Sequence, residues 1–314
     1  MKIYNSLTEI PVINKGVLTI GTFDGMHIGH RKIIDQLNYY REKEGGESFV
    51  ITFVSHPLLL LQPKRAPKSL GSVEYKIDFL RKNNINHLIL LEFTKEIANI
   101  SHRNFFNLIL SKFNSLRMII GSNFRFGKDN LGNISYLQKE ENEKYCLSIV
   151  EKVFYDVHSV SSSTIRQRIR HGDIDLANKM LNREYFIEGV VISGDKLGRS
   201  IGFPTINIIN KNYVNPKDGV YKSRIEIEND TFMGMTFIGK KSIGNDQRGD
   251  QLIESHIFNF NKDVYNKKVK IYFQKRLRDE MQFNSLDDLK IQLEKDKDQI
   301  IFMENNKLQT NIIK

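Results

Sequence analysis

His27 and His30 stand three residues apart in Gly21-Thr22-Phe23-Asp24-Gly25-Met26-His27-Ile28-Gly29-His30. At helical spacing their imidazoles share one face of a first turn. There they can donate hydrogen bonds to a triphosphate and to the charge that builds on it in a transition state. Two histidines so spaced are, by themselves, equally a structural pair or a chance metal site. The surroundings favour a nucleotide. Val17-Leu18-Thr19-Ile20 reads as a buried strand just before the stretch. Ile33, Ile34 and Leu37 recur at helical spacing after it, so a helix is expected over about 28–40. A glycine-rich turn between strand and helix lets the backbone approach a ligand, and the helix start offers unpaired N–H groups and a positive dipole end.

Three other stretches carry similar chemistry. Gly121-Ser122-Asn123-Phe124-Arg125-Phe126-Gly127-Lys128 suits a loop that wraps a ligand and offers Arg125 and Lys128 to phosphate, or equally a surface turn. In Val160-Ser161-Ser162-Ser163-Thr164-Ile165-Arg166 a serine N-cap is routine. A run of hydroxyls with helical N–H groups and Arg166 nevertheless makes an anion-binding corner. Gly194-Asp195-Lys196-Leu197-Gly198-Arg199-Ser200-Ile201-Gly202-Phe203-Pro204-Thr205-Ile206-Asn207 is no P-loop, since G-x-x-x-x-G-K-[ST] is absent and a strand follows. Its glycines beside Lys196 and Arg199 suit a flap over phosphate. Thr205 and Asn207 fall on one side of the strand, where both can offer oxygen to Mg²⁺, although Pro204-Thr205 can also simply open an edge strand. Glu254, in Leu252-Ile253-Glu254-Ser255-His256-Ile257-Phe258, is a general base or, as for most charged strand residues, a solvent-facing carboxylate.

The elements that must position these residues differ between the two halves of the chain. In the first, runs at 48–53, 87–91 and 116–120 read as strands and 73–83 and 102–113 as helices. A short helix at 173–181 closes the half. Strand–helix alternation of this length implies a doubly wound, Rossmann-like α/β domain with its parallel sheet covered on both faces. Ligands of such sheets sit outside the carboxyl ends of strands, where Gly21 and Gly121 both fall. In the second half, six short runs at 186–192, 205–209, 220–227, 232–238, 252–260 and 268–273 suggest a small antiparallel β-barrel. A final helix over about 285–302, with Leu286, Leu289 and Leu293 on one stripe, is expected to pack on it. The expected boundary falls between 1–182 and 183–314.

The 314 residues suffice for two domains. No apolar run approaches the roughly 20 residues of a membrane span, and Met1-Lys2-Ile3-Tyr4-Asn5-Ser6 lacks a signal peptide's apolar centre. The single cysteine, Cys146, lies in an apolar run, so a buried thiol and a reducing cytoplasm are expected. The net charge of +10 is dispersed. That pattern marks a solvated surface with sites for anionic nucleotides rather than a nucleic-acid platform, and neither a nucleic acid nor a membrane is expected as partner.

The motifs come in the order seen in the bacterial bifunctional riboflavin kinase/FMN adenylyltransferase family (FAD synthetase), which the chain resembles from about Gly16 to its C-terminal helix. The stretch 21–30 resembles the family's H-x-G-H element, 161–166 its S-S-T-x-I-R, and 198–207 its G-R-x-x-G-F-P-T-x-N. Gly219-Val220-Tyr221, Glu254 with His256, and Arg278-Asp279-Glu280 with Phe283 are similar to later kinase motifs. The resemblance implies adenylyl transfer from ATP to FMN in the N-terminal domain. His27 and His30 would bind the triphosphate, Ser161, Ser162, Ser163 and Arg166 the leaving pyrophosphate, and Gly21, Phe23, Asp24, Asn123 and Arg125 would line the pocket. It implies riboflavin phosphorylation in the barrel, with Glu254 as base and Thr205 and Asn207 holding Mg²⁺. Gly194, Lys196, Gly198 and Arg199 would be at the nucleotide and Arg278 over the flavin. Riboflavin, FMN and ATP are then the substrates of a monomer or weak homo-oligomer.

Departures from the family pattern affect this expectation. Ser55 replaces a proline in Phe53-Val54-Ser55-His56-Pro57, Ser163 a threonine, and Asn123 a frequent aspartate. Gly234-Met235-Thr236-Phe237-Ile238-Gly239-Lys240-Lys241-Ser242-Ile243 stands against G-x-x-N-I-G-x-R-P-T, so Phe237 replaces Asn and the Pro-Thr pair is lost. An alternative follows: adenylyl transfer alone, beside a flavin-binding or regulatory barrel.

Overall fold

The computed structural model describes residues 1–194, 196–228, 230–239 and 251–312. The chain forms two compact units, Met1–Thr164 and Ile165–Lys314.

Unit one holds a six-stranded sheet made of β1 (Lys2–Tyr4), β2 (Ile13–Ile20), β3 (Glu47–Phe53), β4 (His87–Leu91), β5 (Phe113–Gly121) and β6 (Tyr145–Val150). Its order is β1-β4-β3-β2-β5-β6, with all neighbours parallel. From β2 the chain steps outward to β3 and β4 on one side, and from β5 to β6 on the other. The direction of winding therefore reverses between β2 and β5, and the carboxyl ends of those strands flank the crevice where such sheets bind ligands.

Strand residues alternate between two cores, as the two-residue period of a strand requires. Val17, Val50, Leu88 and Ile119 pack with Ile33, Ile34 and Leu37 of α1 (Ile28–Glu44) and Phe79 and Leu80 of α2 (Val73–Lys82). Their sequence neighbours Leu18, Phe49, Ile51, Ile89, Met118 and Ile120 pack with Phe105, Phe106 and Ile109 of α3 (His102–Leu110) on the other face.

The expected strands, helices and parallel sheet are present, with shifted ends. Helix α3 stops before Phe113, which instead opens β5 and lies over Gly16, where a Cβ would come within 2.3 Å of its ring. Cys146 is half-buried rather than buried, because β6 is a sheet edge and the inner residues of that strand are only partly covered.

Helix α4 (Ser162–Arg170) leads to α5 (Ile174–Leu181) and then to six antiparallel strands. These are β7 (Tyr185–Val190), β8 (Thr205–Asn210), β9 (Gly219–Ile227), β10 (Asp230–Gly239), β11 (Gln251–Ile257) and β12 (Lys268–Arg278), in the order β7-β12-β9-β10-β11-β8. A bridge between Ile192 and Asn207 brings the last strand back towards the first, so the sheet is a nearly closed barrel. Helix α6 (Leu286–Ile312) covers one side with Leu293 and Ile300 against Phe203, Val220, Met235 and Phe258. Leu286 is exposed, so the expected leucine stripe begins one turn later. Among the described residues no helix is long and apolar enough to cross a membrane.

Three fully buried hydroxyls form a row across β9, β10 and β11: Ser223 Oγ lies 2.7 Å from Thr236 Oγ1, which lies 2.8 Å from Ser255 Oγ. Thr236→Val keeps the volume and strands both outer serines, which should cost about 1–3 kcal/mol. A lowered urea midpoint for barrel unfolding is the expected outcome, and an unchanged midpoint would show that the row adds nothing.

Candidate functional site

Building the first site begins with a turn that most sequences cannot make. After β2, Phe23, Gly25 and Met26 all take positive φ (48°, 80° and 48°). Non-glycine residues adopt this conformation at a cost, so it persists only where surroundings enforce it. Here Phe23 and Met26 are buried in the core shared with α1. Arg31 Nε donates to Met26 O at 3.1 Å, and Leu70 N donates to Asp24 Oδ1 at 2.9 Å. Ser162 Oγ, from the start of α4, donates to Asp24 O at 3.1 Å. The turn is thus tied from three directions.

His27 ends the turn and caps α1: its Nδ1 accepts from His30 N at 3.3 Å. That bond leaves Nε2 as the nitrogen with a proton to donate. The two rings stack 3.6 Å apart, inclined by 18°. Gly29, just before His30 in the chain, lies against the His27 ring, and a Cβ there would stand 3.2 Å from it, which explains the glycine in the motif. Burial first, then the neighbouring His27 and Lys76, hold His30 well below the ordinary imidazole range. Its buried Nδ1 has no partner. At neutral pH His30 therefore offers hydrogen bonding rather than full charge.

Across the crevice, Gly121 ends β5, and a Cβ on it would stand 3.5 Å from Asn123 Oδ1 and 3.8 Å from Ile33 Cδ1. Asn123 and Arg125 are exposed beyond it. Ser161 Oγ accepts from Thr164 N at 3.1 Å, capping α4, and Ser163 is exposed. Arg166, one turn along from Ser162 on the same helix, is buried. Gly21, Phe23, Asp24, His27, His30, Ser161 and Ser162 thus come together in or beside one turn. Lys76 was not evident from sequence. It is buried in α2, with Nζ 2.8 Å from Thr22 O. The signal available was a lysine on the apolar stripe of a helix, one turn before Leu80.

The second site is a row of side chains set by strand register. Asn207 pairs with Glu254, Glu254 with Phe237, Phe237 with Val220, and Val220 with Arg278. Thr205 Oγ1 donates to Glu254 Oε1 at 2.6 Å, so the carboxylate is half-buried and held, not solvent-facing. Asn207 is buried, and its Oδ1 has no partner. Gly194 lies against it, with space only for hydrogen: a Cβ would meet Asn207 Nδ2 at 2.4 Å. His256 Nδ1 lies 2.8 Å from Pro204 O, fixing the corner before Thr205.

Gly198 closes a tight turn with Phe203 N donating to its carbonyl at 2.7 Å, and Lys196 and Arg199 are exposed on that turn. Arg278 is engaged elsewhere: Nη2 and Nε reach Asp296 of α6 at 2.7–3.0 Å, and Gln292 Nε2 holds the same carboxylate at 2.9 Å. Phe237 joins the apolar cluster beneath α6, so the change from Asn is absorbed by packing. Residues 240–243 of the altered segment lie outside the described residues.

A glycine turn leading into a histidine-capped helix in unit one and the Thr205–Glu254–Asn207 cluster in the barrel suit one class of protein, an enzyme that transfers phosphate groups. A family profile described as FAD synthetase matches residues 10–164, and one described as riboflavin kinase matches 181–302. The bifunctional riboflavin kinase/FMN adenylyltransferase of Bacillus subtilis is 36% identical over 91% of this chain and 92% of its own. That of Haemophilus influenzae is 34% identical over 91% and 93%. A crystal structure described as a macrolide-efflux protein from Streptococcus pneumoniae superposes with a TM-score of 0.83 at 28% identity, covering 95% of this chain and 97% of that one. The chain belongs to the bifunctional riboflavin kinase/FMN adenylyltransferase family.

The lowered His30 value has a measurable sign. Between that value and the ordinary 6.5 the unfolded chain binds the proton and the folded one does not, so stability rises with pH there and falls as acid is added. In an NMR titration the His30 ring signals should show no inflection near 6.5, while unit-one stability declines below that pH. An ordinary His30 titration would contradict the burial argument.

Proposed function

We propose that the chain makes FAD from riboflavin in two consecutive ATP-dependent steps, phosphorylation in residues 183–314 and adenylylation in residues 1–182. The observation that carries the two-step reading over adenylyl transfer alone is the intact Thr205–Glu254–Asn207 arrangement beside an accommodated Phe237.

In the barrel, Glu254 accepts the proton of the riboflavin 5′-hydroxyl as its oxygen attacks the γ-phosphorus of ATP. The bond to the β-phosphate oxygen breaks and ADP leaves. Thr205 orients the carboxylate through its 2.6 Å hydrogen bond. A divalent cation fits here: the orphaned Asn207 Oδ1 and the Thr205 hydroxyl are hard oxygen donors, suited to Mg²⁺ that keeps its remaining ligands from phosphate and water. Bound Mg²⁺ would neutralise charge on the phosphates. Gly194, Lys196, Gly198 and Arg199 form the flap over the nucleotide. Arg278, clamped to Asp296, acts on the flavin side by fixing α6.

In unit one, a phosphate oxygen of FMN attacks the α-phosphorus of ATP in line, and the bond to the β-phosphate breaks to release pyrophosphate. No side chain need become a covalent intermediate, so the protein's work is positioning and charge stabilisation. His27 and His30 donate to the phosphates, Ser161, Ser162, Ser163 and Arg166 receive the pyrophosphate, and Asn123 and Arg125 close the far wall. Gly21, Phe23 and Asp24 shape the floor. In this reading the enzyme works in the cytoplasm as a monomer or weak homo-oligomer, with small molecules rather than nucleic acid or membrane as partners.

Chromatography of products from riboflavin, ATP and Mg²⁺ should show FMN and then FAD, and FMN supplied directly should give FAD. FAD arising only from supplied FMN would restore the single-activity alternative, and neither product would overturn the reading. His30→Ala should slow FAD formation by about 10²–10³ and leave FMN formation intact. Glu254→Gln should do the reverse, slowing FMN formation by about 10²–10⁴.

A further inference from the structure

Lys76 occupies a position where a methionine or leucine would fill the same volume without the cost of burying a charge. It lies on the stripe of α2 that also buries Phe79 and Leu80. Its ammonium group meets three acceptors: Thr22 O at 2.8 Å, Thr52 Oγ1 at 3.1 Å and Phe53 O at 3.1 Å. Thr52 Oγ1 itself reaches Thr22 O at 3.1 Å. Thr22 belongs to the turn after β2, and Thr52 and Phe53 end β3. One cation therefore ties together the carboxyl ends of two neighbouring strands, where the turn bearing His27 and His30 departs.

We propose that Lys76 is a positioning residue for adenylyl transfer, fixing the strand ends that carry the phosphate-binding turn and placing a positive charge behind His30 at neutral pH. The assignment rests on the reading that unit one makes FAD. It accounts for a lysine rather than an apolar residue: an apolar side chain would take this donor from Phe53 O, leave Thr22 O with only the Thr52 hydroxyl, and withdraw the charge. The ionisable groups facing the ammonium are Asp24 from the turn and His30 from α1, while β3 contributes only uncharged acceptors.

Burial lowers the Lys76 ammonium to about 8, against the pull of Asp24. It is charged at neutral pH and loses a donor just above it. Between about 8 and 10.5 the unfolded chain holds the proton that the folded chain has released, so this group adds stability as pH rises. An alkaline loss of FAD formation in that window is therefore not unfolding driven by this group, and the thermal unfolding measured beside it reports on the others.

The test compares wild type, Lys76→Met and Lys76→Arg between pH 6.5 and 9.5, measuring FAD from FMN, FMN from riboflavin, thermal unfolding and the His30 NMR titration. Wild-type FAD formation should fall above about pH 8. Lys76→Met should be slower by about 10–10² at pH 7.5, the scale of a displaced reacting group, and show no inflection near 8. It should raise the His30 titration point and leave riboflavin phosphorylation unchanged. Lys76→Arg, charged throughout, should retain more activity than the methionine variant and lack the alkaline fall.

Lys76→Met with wild-type rate and pH profile overturns the assignment, as does an unmoved His30 titration. Should the methionine variant fail to fold, an alkaline fall that persists in Lys76→Arg overturns it equally. A wild type that makes FMN but no FAD overturns the adenylyl-transfer reading and this assignment together, whereas a wild type that makes FAD confines any failure to Lys76.

Discussion

The hydrogen bonds that hold the left-handed turn after β2 are the constraint on which unit one depends. A backbone that passes through positive φ at Phe23, Gly25 and Met26 does not stay there unaided. Burial of two apolar side chains, the Arg31 and Leu70 bonds, and the Ser162 hydroxyl each remove a way for it to relax. The result is that α1 starts at the sheet's switch point with a histidine as its cap. Preorganisation of this kind matters most for phosphate transfer, where the protein forms no covalent bond and gains rate by geometry and electrostatics.

The barrel reaches the same end by different means. Its chemistry is laid out by register: a single row crosses five strands from Asn207 to Arg278, and neighbouring strands are about 4.8 Å apart. Glu254 and Asn207 sit at one end of the row. The arginine held by the terminal helix sits at the other, about three strand spacings from Glu254, on the order of 14 Å. Phe237 lies between them. A ring at that position could have broken the row, but it joins the apolar cluster beneath α6, and Glu254 keeps its hydrogen bond from Thr205.

Much of this was legible in the sequence because the signals were local. The strand–Gly turn–helix pattern around His27, the serine cap before Arg166 and the spacing of Thr205 and Asn207 each report on a few adjacent residues. The parallel sheet and the barrel followed from periodicity. What escaped was set at long range. Residue types alone left Glu254 open between a general base and a solvent-facing carboxylate, because nothing nearby in sequence reveals that Thr205, 49 residues earlier, is hydrogen-bonded to it. Lys76 escaped because its acceptors are 23 to 54 residues away. The ion pair of Arg278 escaped because Asp296 is 18 residues away, on the terminal helix. Cys146 read as buried because an apolar run does not announce whether its strand is central or at an edge.

In the proposed reaction His27 holds two posts at once, donor to the ligand and keystone of α1, since the same ring that offers Nε2 accepts the His30 amide through Nδ1. Removing it altogether unseats the helix along with the chemistry, and the two losses arrive mixed. Of the ordinary side chains, asparagine and aspartate can keep the helix start while lacking an imidazole. A lineage that abandoned the reaction while keeping the fold would be expected to drift towards those two residues at this position, leaving His30, which has no such second duty, free to change.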